Sequence, residues 1–338
     1  PPFLLSWYHL VLAFFGALLY KFPGKELIII GITGTNGKST TVEMLSKIFQ
    51  EAGISVASAS SIRFQIQEKE WKNSMKMTMP GRFALQKFLR QAVDAGCTHV
   101  ILEVTSEGIL QNRHRFIPLN TALLTNISPE HIERHGSFEK YIAEKVKLFK
   151  AAKSLHIVNR DSDEAGRFLS VTAAKTITYG MEMSQGEGRE HIQGILQETE
   201  EAVRFTVERT TIILQLLGSF NAYNALAAIT TAKAFDIPVA IAKKALERVH
   251  EIPGRMEQVI ERPFSVVVDY AFTPAALEKV YQTLQNSAKG KLICVLGAAG
   301  GGRDKWKRKE LGKIADKYCD LIILTNEDPY DEDSNEII

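Results

Sequence analysis

Leu27-Ile28-Ile29-Ile30-Gly31-Ile32-Thr33-Gly34-Thr35-Asn36-Gly37-Lys38-Ser39-Thr40 is the stretch that decides the fold. Its first half is a short apolar run rich in β-branched residues, the pattern of a parallel strand buried on both faces. Its second half is a Gly-rich turn, and Lys38 to Ala52 then reads as a helix with Met44, Leu45, Ile48 and Phe49 on one side. Strand, glycine turn, Lys-hydroxyl pair and helix in this order are the context a phosphate-binding loop requires. Glycines let backbone N–H groups converge on phosphate oxygens, and the helix start adds positive potential. Lys38 reaches the terminal phosphates, and a loop hydroxyl, Ser39, holds Mg²⁺.

The alternation continues outward from this stretch. Helices are expected over Phe83 to Ala95 and Phe138 to Ala152, and strands over Thr98 to Glu103, Thr121 to Thr125 and Leu155 to Val158. This is the pattern of an α/β protein with a mostly parallel sheet flanked by helices. Between Ile192 and Leu216 short strands without helices suggest an antiparallel patch, followed by helices over Phe220 to Phe235 and Ala240 to His250. Pro253-Gly254 then marks a boundary, after which a fresh series begins: strands Ser265 to Asp269, Leu292 to Leu296 and Leu321 to Thr325, helices Ala275 to Leu284 and Lys309 to Tyr318. The expected division is an apolar segment 1–24, a central P-loop domain 25–250 and a smaller Rossmann-like α/β domain 251–338. A doubly wound domain is expected to continue beyond the last of these strands.

The 338 residues suit about two domains of the usual 100–200 residues. Forty-one basic and 39 acidic residues leave a net charge of +2, which gives no global field for a nucleic-acid backbone, so an anion must be gripped locally. Cys97, Cys294 and Cys319 are widely spaced and read as reduced core residues. From Pro1 to Tyr20 there is no Lys, Arg, Asp or Glu, and Leu4, Leu5, Trp7, Leu10, Val11, Leu12, Phe14, Phe15, Leu18 and Leu19 cover every face of a helix. Two readings stay open: a helix packed on protein, or one that spans or lies on a membrane, with Lys21 and Lys25 favouring a cytoplasmic body.

The wording of the loop is more specific than a generic nucleotide site. Gly34-Thr35-Asn36-Gly37-Lys38-Ser39-Thr40 resembles the ATP loop of the Mur ligase family, which forms amide bonds during peptidoglycan precursor synthesis. Leu102-Glu103-Val104-Thr105-Ser106 looks like the family's strand-end Glu with its hydroxyl residues. Thr125-Asn126 through Glu130-His131 to His135-Gly136 resembles its Thr-Asn…Asp-His…His-Gly segment. Tyr141-Ile142-Ala143-Glu144-Lys145 resembles the helix whose Lys is carbamylated. Phe220 to Ala225 with Asn224, Pro253-Gly254-Arg255, and Asp269-Tyr270-Ala271 resemble the adenine-side, interdomain and second-domain motifs. Gly302-Arg303-Asp304-Lys305 and Asn326-Glu327-Asp328-Pro329 are similar to the tripeptide-synthetase branch.

The resemblance implies ATP, Mg²⁺ and a carbamylated Lys145 as cofactors. Lys38, Glu103, His131 and Lys145 take the catalytic places, with Ser39, Glu103 and His131 as metal ligands. The cofactor-binding set is Gly34, Thr35, Asn36, Gly37, Lys38, Ser39, Thr40, Asn224, Arg255 towards phosphate and Asp269 towards ribose. Substrate contacts fall on Thr78, Thr105, Ser106, Glu107, Arg113, Asp304, Lys305, Asp328 and Tyr330. A carboxylate must be activated before it meets an amine in water, so an acyl phosphate is expected, and its formation chiefly needs charge neutralisation.

Departures cluster on the substrate side. The apolar segment stands where the branch has a UDP-binding domain, Met79 and Glu107 replace a usual Thr and His, Phe272 replaces a His, and Tyr330 stands where diaminopimelate-adding enzymes carry an Arg. Tyr cannot replace the charge of a bidentate carboxylate clamp. The expected reaction is addition of an amino acid to a UDP-linked or lipid-linked muropeptide, in the cytoplasm or at the inner face of its membrane. Folylpolyglutamate synthase, cyanophycin synthetase and muropeptide-amidating relatives share the core, and a non-catalytic ATP-binding module tethered to a membrane is the reading outside enzymes.

Overall fold

The computed structural model describes residues 2–75, 77–182, 189–197, 202–288 and 290–338, with the side chains of residues 2–4 left aside. Pro1 and the Leu4 side chain, parts of the apolar run, and residues 198–201 of the expected antiparallel patch lie outside the described residues. Helix α1 (Pro2–Leu19) leads to β1 (Ile28–Thr33), α2 (Lys38–Glu51), β2 (Val56–Ala59), β3 (Arg63–Ile66), β4 (Lys69–Lys72), α3 (Arg82–Asp94) and β5 (His99–Glu103). There follow α4 (Ser106–Leu110), β6 (Thr121–Leu124), α5 (Ile132–His135), α6 (Phe138–Ala151), β7 (Leu155–Asn159), α7 (Ala165–Leu169), β8 (Lys175–Gly180), β9 (Glu190–Gln197), β10 (Val203–Val207) and β11 (Thr210–Leu214). Helices α8 (Phe220–Lys233) and α9 (Val239–Leu246) close this part.

Among the described residues these strands form one sheet in the order β11-β10-β9-β8-β7-β6-β1-β5-β2-β3-β4. From β9 to β2 the neighbours are parallel, and each edge is finished by antiparallel strands. The middle is parallel because helices cross between its strands and cover both faces, which its apolar sequence permits. Ile29 on one face of β1 and Ile30 and Ile32 on the other are all fully buried. Val42, Leu45 and Phe49 of α2 pack with Leu226 and Ile229 of α8 over the Ile30 face. Leu85 and Leu89 of α3 and Ile142 and Phe149 of α6 fill the Ile29 face. Strand β1 sits between β5 and β6, so the chain departs to opposite sides of it. The carboxyl ends of these three strands form the crevice where ligands of open α/β sheets bind.

The remaining chain has its own small core of Met256, Leu277, Val280, Tyr281, Cys294, Leu311 and Ala315. Its elements are β12 (Glu257–Ile260), β13 (Val266–Val268), α10 (Pro274–Ser287), β14 (Ile293–Leu296), α11 (Trp306–Tyr318) and β15 (Leu321–Leu324). The three strands expected as one alternating series do not share a sheet among the described residues. Strand β13 pairs antiparallel with β12, whereas β14 and β15 pair parallel with each other. The cysteines are free, with Cys97 and Cys294 buried and Cys319 half-buried.

Helix α1 is apolar all round, yet only one stripe packs. Ala13 and Ala17 are buried against α3, and a side chain at Gly16 would lie 3.5 Å from the Arg82 carbonyl. Small residues let the two helices approach closely. The Arg82 guanidinium contacts the His9 ring, and Asn112 Nδ2 donates to the Ser6 carbonyl at 3.2 Å. The opposite face leaves Leu5, Trp7, Tyr8, Val11, Phe15, Leu18 and Leu19 exposed. No helix among the described residues is long and apolar enough to cross a membrane.

His114, following α4, is 7% exposed, and burial with help from Arg115 and Lys147 pushes its imidazole down to about 4. The unfolded chain therefore binds a proton that the folded chain refuses. The stability tied to this neutral ring is full above about pH 6.5 and is lost as pH falls toward 4, at up to about 1.4 kcal/mol per pH unit. Urea midpoints should fall across that window in the wild type and fall less in His114→Gln; identical slopes would remove His114 from the account.

Candidate active site

The turn from β1 to α2 is built by two close approaches. Gly34 has φ +147°, and a Cβ there would lie 2.0 Å from Thr125 Oγ1. Gly37 has φ +81°, and a Cβ there would lie 2.2 Å from Asn224 Oδ1. Neither position tolerates a side chain. The residues that follow β6 stitch the turn in place: Thr35 N donates to the Asn126 carbonyl at 2.9 Å, Asn36 N to Asn126 Oδ1 at 2.9 Å, and Thr125 Oγ1 to the Asn36 carbonyl at 2.7 Å. Thr35 Oγ1 and Tyr141 OH are 3.1 Å apart, which ties α6 to the same turn.

Glu103 ends β5, beside β1. Its Oε2 accepts Ser39 Oγ at 2.9 Å and the Ser61 amide at 2.8 Å, and its Oε1 lies 3.9 Å from Lys38 Nζ. Lys38 also donates to the Thr35 carbonyl at 2.9 Å, and burial lowers its pKa. From α6, Lys145 points into the floor, where Nζ donates to the Gly34 carbonyl at 2.7 Å and lies 4.8 Å over the Tyr141 ring. Burial first, and repulsion from Lys38 second, hold the Lys145 amine well below the usual lysine range. Burial and the nearby Lys145 push the His131 imidazole down to about 3, so it is neutral at pH 7.

The second domain supplies the opposite wall. Arg255 Nη2 donates to Ser39 Oγ at 3.3 Å and Ser61 Oγ at 3.1 Å, and its guanidinium stacks 4.6 Å over the Tyr270 ring. Thr273 Oγ1 donates to Asn36 Oδ1 at 3.4 Å. Asp269 Oδ2 accepts the Met256 amide at 2.7 Å, and burial raises its carboxyl pKa.

A cleft of about 1510 Å³ runs between the domains. It is lined by the turn residues Thr35 to Thr40, by Glu103, His131 and Asn224, and by Arg255 and Asp269. Thr78, Thr105, Ser106, Glu107, Arg113, Asp328 and Tyr330 line it as well. Lys145 lies beneath its floor, 2% exposed. Thr105 caps α4 by accepting the Gly108 amide, Ser106 Oγ lies 3.1 Å from His135 Nε2, and Glu107 pairs with Arg134 at 3.4 Å. Arg113 holds the Met79 carbonyl and Gln111 Oε1.

Two expected substrate residues are placed elsewhere. Asp304 is buried, with its carboxylate on the amides of Ile132 and Glu133, and the Lys305 ammonium pairs with Glu332 at 3.0 Å. Sequence reading also missed Ser61, Tyr141 and Asn126 as parts of the site. Ser61 follows β2, which has no apolar signal, while Asn126 and Tyr141 lay inside recognised motifs without an assigned contact. Among the described residues no group of three or more His, Cys, Asp or Glu is arranged to hold a metal.

Comparisons with known proteins agree with this architecture. The family model for the Mur ligase middle domain matches residues 32–232, and that for the Mur ligase glutamate ligase domain matches residues 254–338. The chain belongs to the Mur ligase family. It is 34% identical over 351 residues to the UDP-N-acetylmuramyl-tripeptide synthetase of Roseiflexus sp. (strain RS-1), covering 98% of this chain and 68% of that relative. It is 37% identical over 319 residues to the UDP-N-acetylmuramoyl-L-alanyl-D-glutamate–2,6-diaminopimelate ligase of Aquifex aeolicus (strain VF5), covering 94% of this chain and 64% of that one. The chain thus spans about two thirds of these relatives. A solved ligase of the second type superposes with TM-score 0.67 at 26% identity over 92% of this chain and 64% of its own. Folylpolyglutamate synthase of Mycobacterium tuberculosis shares the fold, with TM-score 0.76 at 17% identity over 94% of this chain and 79% of its own.

Gly34→Ala is expected to lower unfolding stability by at least about 2 kcal/mol, because φ +147° and the Thr125 hydroxyl both oppose a Cβ. Urea denaturation checks it, and a change below 0.5 kcal/mol, on the order of a surface substitution, would contradict the close approach.

Proposed function

We propose that this chain is an ATP-dependent ligase that joins an amino acid to a muropeptide carboxylate through an acyl phosphate. One observation carries the reading: the floor gathers the Lys38 and Lys145 amines beside the Glu103 carboxylate, with the Arg255 guanidinium on the neighbouring Ser39 hydroxyl, an arrangement that favours an entering anion. A triphosphate supplies that charge. The backbone amides of Gly37 and Lys38 at the start of α2 and the Lys38 ammonium would cradle the phosphates, and Arg255 would approach them from the second domain. Asn224, pressed against Gly37, marks the adenine side, and Asp269 the ribose side. Thr78, Thr105, Ser106, Glu107, Arg113, Asp328 and Tyr330 face the acceptor and the incoming amino acid.

The residues present fit Mg²⁺. A hydroxyl, a carboxylate and a neutral imidazole, from Ser39, Glu103 and His131, are too few for a complete cage. Mg²⁺ characteristically binds through one or two carboxylates and completes its shell with waters and substrate phosphates. When bound, the metal neutralises charge developing on the transferred phosphoryl group. The buried, readily deprotonated Lys145 amine suits carbamate formation, in which its lone pair attacks carbon dioxide and a proton leaves. The product is an anion where the amine was a potential cation.

The division 1–24, 25–250 and 251–338 is part of this reading, supported by the separate sheets on either side of Pro253-Gly254. The exposed apolar face of α1, with Lys21 and Lys25 beyond it, supports a lipid-linked acceptor met at the inner membrane surface. Tyr330 favours an amino acid without a distal carboxylate to clamp.

Phosphate release with UDP-linked and lipid-linked muropeptides against an amino-acid panel, with Mg²⁺ and bicarbonate, tests the reading; no turnover with any pair rejects it. Lys145→Ala is expected to lower kcat by about 100-fold or more, a loss on the scale of removing a charge-stabilising group, with partial recovery in a small carboxylic acid. Unchanged turnover would remove the carbamate role.

A further inference from the structure

Three residues of the second domain close on one short segment of the first. Asp304 Oδ2 accepts the Ile132 amide at 3.2 Å, and Asp304 Oδ1 accepts the Glu133 amide at 2.9 Å. The Lys305 amide donates to Glu133 Oε1 at 2.7 Å. Lys307 Nζ donates to Glu130 Oε1 at 2.8 Å in a pair that is almost completely buried, and the same ammonium lies 4.8 Å over the Phe272 ring. The gripping segment is itself anchored, since Lys305 and Arg308 both pair with Glu332, at 3.0 and 2.9 Å.

Between the gripped residues stands His131, whose φ of 55° and ψ of 29° lie in the left-handed region. A side-chain-bearing residue holds that conformation only where its surroundings over-determine it. The ring meets Tyr141 and His135 at centroid distances of 6.1 and 6.5 Å, so its direction is set by its backbone together with these two rings. Each gripping contact fastens a residue next to or near it: Glu130 before, Ile132 and Glu133 after. Opening of the domains would strip the Ile132 and Glu133 amides of their acceptor and leave the Glu130 carboxylate without its cation.

We infer that Asp304 and Lys307 are positioning residues, which set the His131 imidazole in the site only when the second domain is closed on the first. The inference rests on the ligase reading for its consequence in turnover, but the placement of the ring is independent of it. The device makes closure a condition for completing the phosphate side of the cleft, through backbone geometry and without either residue touching substrate.

The test uses Asp304→Asn and Lys307→Met in the whole chain. Three readouts are taken: steady-state kinetics, hydrogen exchange at the Ile132 and Glu133 amides, and the imidazole resonance of His131 in ¹³C-histidine-labelled protein. Expected are a fall in kcat of about tenfold or more with KM for ATP within threefold, faster exchange at both amides and a shifted His131 resonance. If Lys307→Met fails to fold, Glu130→Gln with Lys307→Met removes the stranded charge and serves in its place. Folded variants with an unmoved resonance overturn the inference whether or not kcat falls, and so does a moved resonance with unchanged kcat in an active enzyme. If the wild type turns over no pair while the resonance and exchange respond as expected, the ligase reading fails and the positioning stands.

Discussion

The turn between β1 and α2 is held by its lack of side chains. Gly34 meets the Thr125 hydroxyl and Gly37 meets the Asn224 amide at distances no Cβ permits, so three elements distant in sequence are locked to one another at a single point. Lys38 and Ser39 begin α2 immediately afterwards, and their direction is inherited from the turn. Glu103 reaches them because β5 is the parallel neighbour of β1, with Ile32 opposite Glu103 in the register. The Thr125-Asn126 segment reaches them because β6 is the other neighbour, with Thr33 opposite Leu124. The sheet order delivers the residues, and the turn converts adjacency into a site.

Electrostatics then determine what the site waits for. Lys145 is buried and Lys38 half-buried, with 15% of its side chain exposed, and removal from water alone would leave each better off neutral. Glu103 offsets part of this at Lys38 through Oε1, while its Oε2 is already taken by Ser39 and Ser61. Such a floor is costly empty and favourable when filled by an anion. Arg255 arrives over the same hydroxyls from the second domain, so an anion entering the floor and the contact between the domains act on one set of atoms.

Much of this was legible in the sequence, for physical reasons that also mark the limits. The β1 run, the glycine turn and the amphipathic α2 each carry a strong local period, and the motifs downstream keep their order. The hairpin of β3 and β4 went unread because Lys69-Glu70-Trp71-Lys72 is exposed throughout and shows no apolar alternation. Strand β2, Val56-Ala57-Ser58-Ala59, is fully buried but made of small residues, so it lacks the bulk that signals a core strand. The first helix looked apolar on every side, and only the structure shows that its small residues form the packed stripe. Asp304 and Lys305 are expected at the substrate from motif order, whereas the partners of Asp304 are the Ile132 and Glu133 amides and those of Lys305 the Glu133 and Glu332 carboxylates, which no local pattern points to. The small strands β13 to β15 had the right local pattern, but which strand pairs with which is a tertiary choice.

The contacts around α5 extend the influence of the second domain beyond the turn between β1 and α2. Asp304 fixes the start of α5, and the same short helix presents His135 to Ser106 and Arg134 to Glu107 on α4. The two links differ in weight. Arg134 and Glu107 are largely solvated, with side chains 54% and 39% exposed, and a pair of that kind contributes little. The His135 to Ser106 contact is better shielded, because the Ser106 hydroxyl belongs to a residue 2% exposed and burial lowers the pKa of the imidazole. A shift of α5 would therefore be transmitted chiefly through His135, moving the Ser106 end of α4, whose first residues line the cleft. Closure is thereby coupled to both halves of the cleft through one four-residue helix. A rigid, directly bonded element of this length transmits displacement without needing a larger rearrangement of the sheet, whose packed faces resist deformation.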